Sequence, residues 1–298
     1  MDLNAANSLH GVQFEAGSQN VWTQFNRISN KSWNGCVEAR PAHYDTLDTA
    51  PQQANGDTLW VPYFAPDEPD SGAASQNGFW YGNSYLDDEV GSGNNDVDFR
   101  QRKVSKYDGE TVSSDGPYFN CKNQPVQPLT NSRSTILNAI NQMNAAGSTV
   151  IPIGLAWGWR VISPGAPFSE GVPYEDDTVT KVIILLTDGK NDIGSLNNHN
   201  KSWYNGYGYV EEGRLGTTDA SQAYTALNNR TAQLCTNAKA AGILIYTITF
   251  QVSNTTIQTL MRDCATSPAM YFDSPSNAQL QQNFQEIAAQ LGKLRISK

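Results

Sequence analysis

The chain has 298 residues, only 16% of them charged, and a net charge of -9. A surface this acidic repels nucleic acid and anionic membranes unless basic groups are segregated on it. The densest basic cluster, Lys293, Arg295 and Lys298 in "GKLRISK", sits at the end of a predicted helix, where it complements the helix dipole.

Taken in chain order, the N-terminal "MDLNAANSLHGVQFEAGS" has neither the basic nor the apolar region of a signal peptide. No apolar run reaches the roughly 18–20 residues that span a bilayer. Val21, Trp22, Phe25 and Ile28 have helical spacing and predict a short amphipathic helix. Residues 33–130 are rich in Gly, Asn, Asp, Pro and aromatics and read as a loop-rich insert. Within it "TLWVPYF" (58–64) has the composition of a short strand, which Pro62 confines to an edge.

The second half is periodic. Residues 132–146 place Ile136, Ile140 and Met143 on one helical face, with Gly147 as the C-terminal cap. Residues 150–162 predict a helix with Pro152 in its first turn, and Gly154 and Gly158 imply close approach to a neighbouring backbone. "KVIILLT" (181–187) is a continuous apolar strand that runs into Asp188-Gly189. Residues 218–241 give a helix with Tyr224, Leu227, Thr231, Leu234, Cys235 and Ala238 inward, stopped by Gly242. A strand at 243–250, a helix at 254–264 with Ile257, Leu260 and Met261 inward, and a strand at 270–272 follow. The last helix, 277–292, aligns Leu280, Phe284, Ile287, Ala288 and Leu291 behind an N-cap at Ser276.

Strands alternating with helices imply a parallel sheet, and uninterrupted apolar strands imply helices on both of its faces. The expected fold is therefore α/β, a doubly wound, Rossmann-like sheet with strand 181–187 among its central strands. In such sheets ligands collect at the carboxyl ends of the strands. That places Asp188 where a ligand would sit, and makes Thr149, at the junction of two helices, either a helix cap or a second ligand group.

The cysteines are Cys36, Cys121, Cys235 and Cys264, with no C-x-x-C pair that would suggest structural zinc. Two disulfides or four buried thiols fit them equally, and the spacing does not choose among the three possible pairings.

"GST" at 147–149 and "TDG" at 187–189 resemble the second and third loops of the metal-ion-dependent adhesion site of von Willebrand factor A domains. The first loop of that site, Asp-x-Ser-x-Ser or its Thr-Gly variant, does not occur after any apolar strand in residues 1–130. Over about residue 33 to the end, "WNGCVEARP" (33–41), "DTLWVPYFAPDEPD" (57–70), "GLAWGWRVISP" (154–164), "LCTNAKAAGILIYTITF" (234–250) and "LGKLRISK" (291–298) resemble the TadG-type proteins of tight-adherence (Flp) pilus assembly.

The resemblance implies a three-part chain. Residues 1–32 form an N-terminal segment, 33–130 the insert, and 131–298 the C-terminal part of a von Willebrand A-like domain whose sheet is incomplete on its N-terminal side. It implies a non-enzymatic interaction or adhesion module on the periplasmic face of the cell envelope, membrane-associated through family relatives' anchors. Its partners would be proteins of the pilus assembly apparatus, and possible suppliers of the missing strands are other chains. Asp188 and Thr149 would be the remnant of an incomplete Mg²⁺ site, and a periplasmic setting favours the disulfides Cys235–Cys264 and Cys36–Cys121. A sheet lacking its early strands exposes an edge, so marginal stability or self-association is expected.

Other signals are weaker. Asp87, Asp88, Glu89, Asp96 and Asp98 read as a solvated acidic loop, with Ca²⁺ binding the alternative. Trp60, Tyr63, Phe64, Phe79, Trp80, Tyr81 and Tyr85 form either the insert's core or a carbohydrate-binding platform. His10, His43 and His199 share no motif. The rival function is a metal-assisted hydrolase of surface or cell-wall glycan, which needs converging carboxylates such as Glu211 and Glu212.

Overall fold

The computed structural model describes Phe14 and residues 21–70, 79–88 and 96–296. In chain order the elements are α1 (Val21–Arg27), α2 (Val97–Arg102), α3 (Arg133–Asn141), α4 (Ile151–Ile162), β1 (Val182–Thr187), α5 (Ala220–Ala240), β2 (Leu244–Phe250), α6 (Thr255–Cys264), β3 (Tyr271–Ser274) and α7 (Asn277–Ile296). Single 3-10 turns punctuate the loops. His10, Glu89, Lys298 and the Arg295 side chain, all singled out above, lie outside the described residues. Among the described residues no helix is long and apolar enough to cross a membrane.

The three strands pair in the order β1-β2-β3, all parallel, with Val182 opposite Leu244 and Thr247 opposite Tyr271. The fold is mixed α/β around this sheet. Odd-numbered residues of β1 and β2 (Ile183, Leu185, Ile245) share a core with α4, α5 and α6 through Leu155, Trp159, Leu234, Ala238 and Cys264. Even-numbered ones (Val182, Tyr246, Ile248) meet α7 through Leu280, Ile287 and Leu291. The period of two thus sends alternate apolar side chains into two separate cores.

Strand β1 departs from expectation. It stands at the edge of the described sheet rather than at its centre, because β2 is its only strand neighbour. Ile184 and Leu186, on the α7 side, are each 41% exposed, whereas the five inner residues of β2 are buried. Periodicity reports that a strand is apolar on both faces; it does not report how many strands flank it.

The helix expectations hold in part. Asp219 and Asn254 cap α5 and α6, and the Ser276 hydroxyl accepts from the Gln279 N–H to start α7. Gly242, at φ 79°, ends the α5 turn in the left-handed region as expected. Helix α3, however, stops at Asn141, so Gly147 does not cap it, and Ile136, Ile140 and Met143 face solvent. Gly154 and Gly158 lie on the outer face of α4 with open space where a Cβ would stand, so neither serves close packing. In α7 the buried stripe runs through Asn283 and Ile287, leaving Phe284 44% exposed and Ala288 outside as well. The helix packs on a three-stranded sheet too narrow to cover the wider stripe.

In the loop-rich part, 58–64 forms no strand; Val37 and Pro62 make one antiparallel bridge, with Tyr63 N–H donating to the Cys36 carbonyl at 2.9 Å. Phe14, Val21, Phe25 and Ile28 share a core with Val61, Phe64, Val104, Tyr107 and Val112. Trp60, Tyr63, Phe64 and Tyr81 are buried, with edge-to-face contacts such as Tyr63–Tyr204, which favours the core reading over an exposed platform; Trp80 is the exception, at 61% exposed.

Of the acidic residues read as a solvated loop, Asp87, Asp96 and Asp98 are exposed, and Asp88 departs. Asp88 is buried between Arg100 (3.0 Å) and Lys106 (3.4 Å), and Lys106 also pairs with Asp67 at 2.7 Å. Asp96 caps α2. Two disulfides, Cys36–Cys121 and Cys235–Cys264, the pairs expected above, join the loop-rich part to itself and α5 to α6.

Candidate functional site

Strand β1 ends in a tight turn. The Thr187 hydroxyl donates to the Gly189 carbonyl at 2.9 Å and accepts from the Gly189 N–H at 3.3 Å, which turns the chain immediately after the sheet. Asp188, between them, is exposed, and among the described residues no hydrogen bond or ion pair holds its carboxylate.

The next residues anchor the loop. Asn191 is 1% exposed: its Oδ1 accepts from the Ile151 N–H at 2.8 Å and its Nδ2 donates to Asn228 Oδ1 at 2.8 Å. Ile151 opens α4, whose N-cap position is Val150, a residue with no side chain able to cap. Asn191 therefore satisfies from another loop one of the N–H groups that every helix start leaves open. One residue further on, the Asp192 N–H donates to the Thr149 carbonyl at 2.7 Å. The Thr149 backbone, not its hydroxyl, makes this tie, and the bend at 147–149 and the loop after β1 come together at the carboxyl end of the sheet.

Beside the loop lies a cleft of about 300 Å³, lined by Lys190, Asn191, Tyr224, Asn228, Asn254 and the first turn of α6. Lys190 Nζ stands 5.6 Å from the Tyr224 ring centroid. Burial, with Asp192 alongside, pushes the Tyr224 hydroxyl above its ordinary pKa. Sequence reasoning pointed to Asp188 and Thr149, placed Tyr224 only as an inward helix residue, and passed over Asn191 and Asn228; an isolated buried Asn leaves no periodic trace.

The residues present do not build a Mg²⁺ site alone. Mg²⁺ demands near-octahedral oxygen coordination, and this rim offers the Asp188 carboxylate and the Thr149 hydroxyl. Among the described residues no group of three or more His, Cys, Asp or Glu is arranged to hold a metal.

Nor do Glu211 and Glu212 converge. Glu211 is exposed and pairs with Lys201 at 2.5 Å, while Glu212 is half-buried with its carboxylate turned inward, accepts from the Tyr209 N–H at 2.6 Å and has its carboxyl raised by desolvation to about 8. Nearby, Glu38 is buried against Arg214 at 2.6 Å and takes the Tyr204 hydroxyl. His199 shares a 2.9 Å hydrogen bond with the Tyr81 hydroxyl and is held neutral by burial.

No family model and no curated protein matches the chain. Solved structures give weak matches. Proximal thread matrix protein 1 from the mussel byssus matches at 19% identity and a TM-score of 0.30, over 52% of this chain and 28% of that one. A form of that protein with a zinc-occupied MIDAS motif matches at 20% identity and a TM-score of 0.31, over 53% and 28%. The pilus adhesin SpaC from Lactobacillus rhamnosus GG matches at 19% identity and a TM-score of 0.34, over 54% and 21%. The chain spans less than a third of the length of each of these structures, and likeness at this level does not establish a fold family.

Proposed function

We propose that the chain is a non-enzymatic protein-interaction module of von Willebrand A type, serving adhesion or assembly of a tight-adherence pilus on the periplasmic face of the cell envelope. The observation that supports it best is the 2.7 Å bond from Asp192 to Thr149, which sets the two loops side by side at the carboxyl end of β1 with Asp188 exposed next to them. Strand ends of parallel sheets are where such folds bind. On this reading the sheet is of doubly wound type, with α4–α6 on one face and α7 on the other, and residues 131–298 carry the interaction domain beside the 33–130 insert. One carboxylate and one hydroxyl do not retain Mg²⁺, so the ion enters only where a partner's carboxylate adds to its shell.

The test is binding of envelope proteins of a tight-adherence system to immobilised protein, with and without Mg²⁺. Asp188→Ala abolishes Mg²⁺-dependent binding on this reading; binding indifferent to both chelator and Asp188→Ala removes the shared-metal version.

A further inference from the structure

The insert buries an amine against a carboxyl group. Lys106 Nζ lies 2.7 Å from Asp67 Oδ2, and both side chains are 0% exposed. A second buried carboxylate, Asp88, brings its Oδ1 to 3.4 Å from the same nitrogen. Arg100, 3.0 Å from Asp88 Oδ2, balances that second charge. The other Asp67 oxygen, Oδ1, accepts from two consecutive backbone N–H groups, Tyr85 at 2.6 Å and Leu86 at 2.8 Å. The Asp67 N–H donates to the Tyr107 hydroxyl at 2.9 Å, which fixes the backbone there. The Tyr107 ring, its centroid 5.8 Å from Nζ, packs on Phe64 in the adjoining core.

This arrangement supplies more than an ion pair uses. Two N–H groups aimed at one carboxyl oxygen make the hole that a tetrahedral intermediate needs. An amine touching the other oxygen is placed to attack the carbon between them, and well-oriented pairs reach effective concentrations of about 10⁵–10⁸ M. A carboxylate in reach of the amine supplies a base. Burial lifts the Asp67 carboxyl to about 6, toward the neutral form that an amine attacks.

We infer that Lys106 and Asp67 condense, with no other reagent, into an intramolecular amide bond. The Lys106 ammonium passes one proton to Asp67 Oδ2, leaving an amine and a carboxylic acid. The Nζ lone pair attacks Cγ, and the C=O pair moves onto Oδ1, held by the Tyr85 and Leu86 N–H groups. Asp88 takes a second proton from Nζ and delivers it to Oδ2. The pair on Oδ1 reforms the double bond, the Cγ–Oδ2 bond breaks and one water leaves. The third proton stays on the amide nitrogen. Two buried charges, each costly to desolvate, become one neutral amide. Its oxygen keeps both N–H donors. The carbonyls of Asp67 and Arg100, which accept from Nζ at 3.2 and 3.0 Å, stand ready for its N–H. The bond closes a loop from 67 to 106 in a segment that forms no sheet among the described residues. Unlike Cys36–Cys121 it survives reduction. The open chain titrates at Asp67; the joined chain does not.

The experiment is intact-mass spectrometry of the fully reduced, denatured chain, followed by tryptic mapping. The expected mass is one water below that of the sequence. Trypsin does not cut at an acylated lysine, so residues 104–122 stay joined to the peptide that holds Asp67. Lys106→Arg keeps the cation without the amine and gives the full mass. In Asp88→Asn the joined fraction, sampled over time after synthesis, rises about 100-fold more slowly. The parent's own mass decides the matter even where a variant does not fold. A parent of full sequence mass overturns the proposal. So does a missing water that maps to a succinimide at an Asp-Gly pair such as Asp108-Gly109, with no joined peptide. A bond formed in Asp88→Asn at the parent's rate overturns the role given to Asp88.

Discussion

Asn191 accepts the Ile151 N–H at 2.8 Å from within the loop that follows β1, so the start of α4 and the exit of the strand are held by one buried side chain. Its amide also donates to Asn228 on α5. Three segments distant in sequence therefore depend on a residue that solvent barely touches, and the rim carrying Asp188 and Thr149 is as firm as this amide makes it.

Asn191→Leu leaves the Ile151 N–H and the Asn228 carbonyl oxygen without partners. A buried polar group stripped of its partner costs about 1–3 kcal/mol, so unfolding in urea shifts to lower midpoint by a free energy of that order with an unchanged slope. Hydrogen exchange at Ile151 and Asp192 rises more than at β2.

Glu212 makes stability depend on pH. Its folded pKa, about 8, lies above the ordinary carboxylate value because burial penalises the charged form. The folded state then holds a proton that the unfolded state has released, so stability is full at about pH 4 and declines as pH rises toward about 8. Asp67, raised by burial to about 6, contributes the same sign over the lower part of that range. Glu212→Gln keeps an acceptor for the Tyr209 N–H and removes the ionisation. The variant is expected to match the parent near pH 4 and to exceed it at pH 8 in thermal melts.

Arg214 and Glu38 form a buried ion pair at 2.6 Å, with side chains 9% and 0% exposed. Removing one partner strands the other charge. Arg214→Met is expected to destabilise by about 3–5 kcal/mol, and Glu38→Gln/Arg214→Met by less than the sum of the single changes, as a double-mutant cycle would measure.

The Cys235–Cys264 bridge ties α5 to α6 across a separation of 29 residues, and Cys36–Cys121 closes 85. Loop closures of these lengths stabilise by about 3–5 kcal/mol each in the chain-entropy account. Cys235→Ala/Cys264→Ala is expected to lower the denaturation midpoint by that order, read in urea titrations under oxidising conditions.

Much of the second half was legible because its signals are periodic. The continuous apolar runs became β1 and β2, and caps such as Asp219 and Asn254 stand where the helical patterns begin. Strand order is not periodic, so the edge position of β1 could not be read from its composition. The stripe on α7 misled at Phe284 because the width of the buried face depends on how many strands lie beneath it. In the insert, Asp88 read as part of a solvated acidic loop but is buried, because Arg100 and Lys106 from later in the chain meet it; Asp67, also buried, meets Lys106. At the rim, Asp188 was visible through the strand that leads to it, whereas Asn191 works through tertiary contacts alone.

The central claim is that the carboxyl-end rim of the sheet is the contact surface. Photo-crosslinking residues placed at Asp188 and Lys190 on the rim, and at Glu175 before β1 at the other end, test it directly in cells carrying a tight-adherence system. The account predicts adducts with pilus-assembly proteins from the two rim positions and none from 175. Adducts from 175 alone, or from all three positions alike, would contradict it.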